Sequence, residues 1–72
     1  MITNLKNFVR IEYNFAKKTD RYDIANSHFH NAYGAICFAT FSAETSEQYN
    51  EIVQLWDEWK EKFEAVLWNI SA

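Results

Sequence analysis

The chain contains no proline and only one glycine among its 72 residues. Because proline and glycine end helices and form tight turns, a chain this poor in both favours long helices joined by short connections. Their scarcity excludes collagen-like repeats and flexible low-complexity linkers. It also excludes the common nucleotide-binding loops, since one glycine cannot build either a GxGxxG turn or a Walker loop.

Cysteine and long apolar runs are equally scarce. The single cysteine, Cys37, cannot form an intrachain disulfide, which is typical of proteins in a reducing compartment. The longest apolar run covers only residues 35–39, whereas a membrane-spanning helix needs roughly 20 apolar residues. The first residues of the chain lack the pattern of a secretory signal. We therefore expect a cytoplasmic protein that does not cross a membrane.

Large apolar side chains are abundant. Hydrophobic residues make up 49% of the chain, and they include 3 tryptophans, 4 tyrosines and 6 phenylalanines. A chain this short is near the lower limit for independent folding, and buried aromatic side chains compensate by removing much apolar surface from water. This composition excludes intrinsic disorder and predicts one globular domain over residues 1–72.

Residues 46–70 carry the clearest helical pattern. Large apolar residues recur there at spacings of three and four, which places them on one side of a helix. They are Tyr49, Ile52, Trp56, Trp59, Phe63, Val66 and Ile70. Thr45 followed by Gln48 forms a capping-box pattern at the start of this helix.

Residues 20–43 form a second predicted helix, with Asp20 as its N-cap. Its apolar face is rich in small residues, which lets another helix come close. We expect the bulky Trp56, Trp59 and Phe63 to pack against Ala32, Ala35 and Ala39. Gly34 is interpreted as a helix contact point, because glycine within a helix costs about 1 kcal/mol without such a reason.

The first segment, residues 3–18, fits two patterns. Residues 8–15 alternate between apolar and polar, which is typical of a half-buried strand. A strand would need a partner, and no second strand pattern exists in this chain, so only another molecule could supply one. A helix also fits, with a broad apolar face opposite a polar one. That apolar face contains Leu5, Phe8, Val9, Ile11, Phe15 and Ala16. We therefore predict a helix.

Three helices with short connections predict an all-α fold, an up-down-up three-helix bundle with helices at about 3–18, 20–43 and 46–70. The net charge of −3 is unevenly distributed: the N-terminal segment is basic and the C-terminal segment is acidic. Because the first and last helices run side by side in such a bundle, we expect their outer faces to complement each other.

Residues capable of catalysis or metal binding are few. His28 and His30 point in different directions on a helix and cannot share one metal ion. His30 and Cys37 are two helical turns apart, too far for proton transfer, so Cys37 is interpreted as a small buried apolar residue. The carboxylates of the last helix lie on its polar face, where they cannot acquire the separated pKa values that acid–base catalysis needs. We expect no enzyme activity, cofactor or metal.

Charged faces suggest two kinds of partner. Five basic residues could contact nucleic acid, but their density is moderate in an acidic protein without a helix-turn-helix pattern, so we do not expect nucleic-acid binding. They are Lys6, Arg10, Lys17, Lys18 and Arg21. An acidic face on the last helix could instead imitate a phosphate backbone and inhibit a nucleic-acid-binding protein. It consists of Glu47, Glu51, Asp57, Glu58, Glu61 and Glu64.

Three aromatic residues, Phe38, Phe41 and Trp68, lie off the predicted core faces. Phe38 and Phe41, with Ile24, could meet the first helix, and Trp68 could fold over the end of the bundle. The alternative is that these aromatics form an interface, where such side chains are enriched. The leading hypothesis is therefore a protein–protein interaction module that associates with itself as a homo-oligomer, with the acidic-face inhibitor as the alternative.

Overall fold

The computed structural model describes residues 2–71 and contains three helices: α1 (Ile2–Lys18), α2 (Tyr22–Ser42) and α3 (Ser46–Ser71). All three pairs of helices pack against one another, α1 and α2 most extensively. The predicted all-α three-helix bundle is confirmed. Residues 8–15 lie within α1, so their alternating pattern does not mark a strand. Among residues 2–71, no helix is long and apolar enough to cross a membrane.

The start of α2 differs from the prediction. The helix begins at Tyr22, and Asp20 lies before it, so Asp20 is not its N-cap. The N-cap is Arg21, whose side chain makes no capping hydrogen bond. Its backbone N–H donates to the Thr19 hydroxyl at 3.1 Å, which forms a turn before the helix. The Arg21 guanidinium pairs with Asp23 at 2.9 Å in the first turn of α2.

The start of α3 follows the predicted capping pattern closely. The backbone N–H of Gln48 donates to Thr45 Oγ1 at 3.1 Å. The Gln48 side chain reaches back and accepts a hydrogen bond from the backbone N–H of Glu44 at 2.8 Å. In the standard capping box this second bond goes to the N-cap residue itself, so the motif here reaches one residue further towards the N-terminus.

Contacts between rings establish how the helices run. Phe29 of α2 stacks on Trp56 of α3 with ring centroids 5.6 Å apart, and Tyr13 of α1 meets Trp59 edge to face at 5.3 Å. Ile2 of α1 lies beside Ile52, earlier in α3, and Tyr22 of α2 lies beside Trp68, later in α3. Helices α1 and α3 therefore run parallel and α2 runs antiparallel to both, and the Cα atoms span 40 × 16 × 16 Å. Helix α3 is longer than α1, with 26 residues against 17, and its last turn extends past the end of α1 beside the start of α2.

Phe63 is the centre of the core. It is fully buried, and its ring contacts Tyr13 of α1 at 5.5 Å and Phe29 of α2 at 5.4 Å. Ala32 and Ala39 of α2 are buried in the core and Ala35 is partly buried, while the rings of Trp56 and Phe63 meet Phe29 of α2. Trp56 and Trp59 are only partly buried, since they lie at the edges of the interhelical grooves.

The predicted apolar stripes were wrong at several positions. Leu55 and Leu67 of α3 are buried, although the stripe did not include them. Tyr49, which the stripe did include, is about half exposed, as are Tyr22 and Tyr33 of α2. The reason is geometric: α3 packs against two helices, so its buried face is wider than one stripe, with Leu55 on the side of α1 and Leu67 on the side of α2.

Gly34 is not the predicted contact point. A Cβ atom built on this residue would have no atom within 4 Å outside its own local helix. Gly34 is exposed on α2 and has a normal helical backbone without positive φ. Neither packing nor backbone geometry within the described chain therefore requires glycine here.

Candidate interaction surface

Phe38 and Phe41 are the most exposed large apolar residues on α2. Their side chains are 74% and 91% exposed, so α1 does not cover them. Phe38 borders an apolar groove of about 290 Å³ between the start of α1 and the end of α2. Leu5 and Ala39 form the floor of this groove.

Trp68 lies at the opposite end of the molecule and is 74% exposed. It borders a shallow groove of about 560 Å³ with Tyr22 and Phe29, so it does not fold over the end of the bundle. The 16 residues between Tyr22 and Phe38 correspond to about 24 Å along α2. The structure therefore brings Phe38 and Phe41 together on one helix and leaves Trp68 on a separate surface.

Three further apolar side chains of α1 are exposed, although the sequence pattern placed them in the core. Phe8, Ile11 and Phe15 are each about half exposed. Their spacing of three and four puts them on one side of α1, and Phe15 stacks on His28 of α2 at 5.3 Å. They therefore share the outer side of the α1–α2 pair. The signal that could have revealed them is the width of the apolar sector of α1, which is greater than two neighbouring helices can cover.

Glu12 interrupts the apolar sector of α1 and has a specific partner. Its Oε2 lies 2.5 Å from Nδ1 of His28 on α2, and both side chains are largely buried. Phe15 stacks against the same imidazole. The pair therefore fixes the register between α1 and α2, and a structural role accounts for both polar side chains.

His30 and Cys37 lie about two helical turns apart on α2. His30 is exposed and lies beside the Phe29 ring, while Cys37 is a partly buried free thiol. Cys37 raises the pKa of the neighbouring Tyr33 above its ordinary value, first through a hydrogen bond between the two side chains and then through charge repulsion. Within residues 2–71, no group of three or more His, Cys, Asp and Glu side chains could hold a metal ion.

The acidic residues of α3 are all exposed, but they do not form one uniform surface. They are Glu47, Glu51, Asp57, Glu58, Glu61 and Glu64. Glu51 and Glu58 share a groove with Lys6 of α1, which brings the basic and acidic helices side by side. No ion pair joins α1 to α3 within the described part of the chain; Glu58 instead approaches Lys62 on its own helix at 3.9 Å.

Comparison with known protein families, curated proteins and solved structures finds no match. A functional proposal for this chain therefore rests on the geometry of its surfaces.

Proposed function

We propose that this chain is a cytoplasmic protein–protein interaction module without catalytic activity, and that its partner is a second copy of itself. The observation that carries the proposal is the apolar outer side of the α1–α2 pair. Phe38 and Phe41 extend into solvent at one end of this side, and Phe8, Ile11 and Phe15 are about half exposed along α1. Contiguous apolar surface of this kind is typical of interaction sites.

The energy available from this surface favours association. Complete burial of one phenylalanine contributes roughly 1.5–3 kcal/mol relative to exposure. Phe38 and Phe41 begin almost fully exposed, so each can contribute most of that amount when a partner covers it. A symmetric dimer uses both residues twice, because the same surface occurs on each copy.

Sedimentation equilibrium from low to high micromolar concentration tests self-association directly. We expect a concentration-dependent shift from monomer to dimer, and we expect the double variant Phe38→Ser and Phe41→Ser to remain monomeric. Trp68→Ser is the matched control, since it removes an equally exposed aromatic from the other end of the molecule. A native chain that stays monomeric throughout would contradict the proposal.

The exposed acidic residues of α3 support a second proposal, an inhibitor that imitates nucleic acid. It is the weaker one, because Lys60 and Lys62 lie on the same helix and Lys62 pairs with Glu58. It predicts that reversing the charge of Glu51, Glu58 and Glu61 abolishes binding to a nucleic-acid-binding protein while thermal stability changes little. Retained binding by that variant would exclude acidic mimicry.

A further inference from the structure

The outer face of α2 carries a regular pattern that the bundle does not use. Its residues alternate at spacings of three and four, the spacing of a coiled-coil interface, and all of them are exposed. They are Ile24, Ser27, Asn31, Gly34, Phe38 and Phe41. The core of the bundle lies on the opposite side of the helix, around Ala25, Ala32 and Ala39. Ile24, Phe38 and Phe41 are the apolar members of this outer α2 face, and no helix of the described chain packs on it.

We infer that two copies of the chain pair antiparallel through their outer α2 faces, about a two-fold axis between Asn31 and Gly34. This inference rests on the self-association proposed above and specifies its geometry. In this register Phe41 of one copy lies opposite Ile24 of the other. Phe38 lies opposite Ser27, and Gly34 lies opposite Asn31.

The sizes of the side chains select the antiparallel direction. The bulky Phe38 and Phe41 lie at one end of the outer α2 face, and Ile24 and Ser27 lie at the other end. A parallel pair would set each phenylalanine against its own copy at one end. Antiparallel pairing sets Phe38 against the small Ser27 and Phe41 against Ile24, which distributes side-chain volume more evenly along the interface.

Gly34 gains a physical reason in this arrangement. Within the chain, the position of its missing Cβ faces open space, so the glycine weakens α2 without any packing benefit. Next to the two-fold axis, the same absence lets the partner helix approach the α2 backbone closely. Gly34, which nothing in the monomer requires to be glycine, therefore lies next to the two-fold axis of the dimer.

The charges at the two ends of α2 complement each other in the same direction. Lys17, Lys18 and Arg21 lie near its N-terminal end and outnumber Asp20 and Asp23 there. Beyond its C-terminal end, residues 44–47 carry two carboxylates, Glu44 and Glu47, and no basic side chain. Antiparallel pairing brings the basic end of each copy to the acidic end of the other, and Arg21 then lies level with Glu44 of the second copy.

The available area agrees with a weak dimer. Helix α2 has 21 residues, which corresponds to a length of about 31 Å. With the flanking apolar residues of α1, the face is about two helices or 20 Å wide, giving roughly 600 Å² per copy. Stable interfaces bury about 800 Å² per partner, and roughly 500 Å² is the lower limit. The face is therefore slightly above the lower limit for a specific dimer interface.

Cysteine cross-linking distinguishes antiparallel from parallel pairing of the two α2 helices. In a Cys37→Ser background, Asn31→Cys places a thiol beside the two-fold axis, with its symmetry mate only about 4.5 Å away along the helix. Ser42→Cys is the matched control, since antiparallel pairing separates it from its mate by about 29 Å. We expect a short thiol cross-linker to join Asn31→Cys chains and to leave Ser42→Cys chains single. Cross-linking of Ser42→Cys as efficiently as Asn31→Cys would overturn the antiparallel register.

A bulky side chain at Gly34 provides an independent test. Gly34→Leu has room in the monomer and blocks the close approach of the second helix, so we expect the dimer dissociation constant to rise at least tenfold while helicity and melting temperature are maintained. Asn50→Leu, an exposed change on α3, should leave dimerisation unchanged. If the native chain is monomeric, self-association itself fails. If the native chain dimerises and Gly34→Leu dimerises equally well, self-association stands and the proposed pairing through the outer α2 faces is contradicted.

Discussion

Glu12 Oε2 and His28 Nδ1 lie 2.5 Å apart, in an ion-pair geometry that joins α1 to α2. The Glu12 side chain is 13% exposed and that of His28 is 26% exposed. Replacing either residue leaves the other poorly hydrated and without its partner, which is the costly case for buried polar groups.

The expected coupling between these two residues is about 1 kcal/mol, in the range of hydrogen bonds that involve a charged group after allowance for partial exposure. A double-mutant cycle with Glu12→Gln and His28→Gln, followed by urea unfolding, measures it. Arg21 and Asp23 form an exposed pair at 2.9 Å and serve as the control, with a smaller coupling. If the Glu12–His28 and Arg21–Asp23 pairs show equal coupling energies, burial does not strengthen the Glu12–His28 interaction.

Phe63→Ala should destabilise the fold strongly. Phe63 contacts both other helices and has no exposed surface, so its truncation is expected to cost about 3–5 kcal/mol. Because this approaches the total stability of a small domain, Phe63→Leu provides a milder variant that remains folded. Phe41→Ala is the matched control, and its monomer stability should change by no more than about 0.5 kcal/mol. Chemical denaturation at low protein concentration measures all three.

Gly34→Ala should stabilise the monomer. The new Cβ meets no neighbouring atom, and alanine is favoured over glycine within a helix by about 0.5–1 kcal/mol. For a domain of this size that corresponds to an increase of several degrees in melting temperature. Thermal unfolding at a concentration where the chain is monomeric checks the prediction, and a lower melting temperature would show that the glycine has a local structural role after all.

The two predicted helix caps should respond differently to mutation. Thr45→Ala removes the hydroxyl that accepts the Gln48 N–H and should cost about 1 kcal/mol. Asp20→Ala should have little effect, because Asp20 is not the N-cap of α2. Urea unfolding measures the free energy of unfolding of both variants. If Asp20→Ala loses as much stability as Thr45→Ala, Asp20 caps α2 in a way that the structure does not show.

The sequence was sufficient to predict the three helices because their apolar residues recur at helical spacing and few residues interrupt them. It was less informative about α1, where Phe8 and Phe15 were assigned to the core and are instead half exposed. Helical spacing identifies an apolar side of a helix, but it does not say how many neighbours cover that side. In a three-helix bundle each helix has only two neighbours, so a broad apolar sector must leave part of itself uncovered.

Only part of the candidate surface could be predicted from the sequence. Phe38, Phe41 and Trp68 were recognised because they lie off the core faces, and all three are exposed. The sequence did not show that Trp68 lies far from Phe38 and Phe41. That distance depends on which ends of α2 and α3 are adjacent in the tertiary fold. The Glu12–His28 pair also escaped prediction, because two polar residues on different helices give no local signal in the sequence.

The unequal lengths of α1 and α3 have a further consequence for local stability. The last turn of α3 lies beyond the end of α1, so it has one neighbouring helix where the middle of the bundle has two. Fewer buried contacts lower the free energy needed to open that turn without unfolding the remainder. We therefore expect the backbone amides around Trp68 to exchange with solvent faster than those around Phe63, and the bundle to open from this end first.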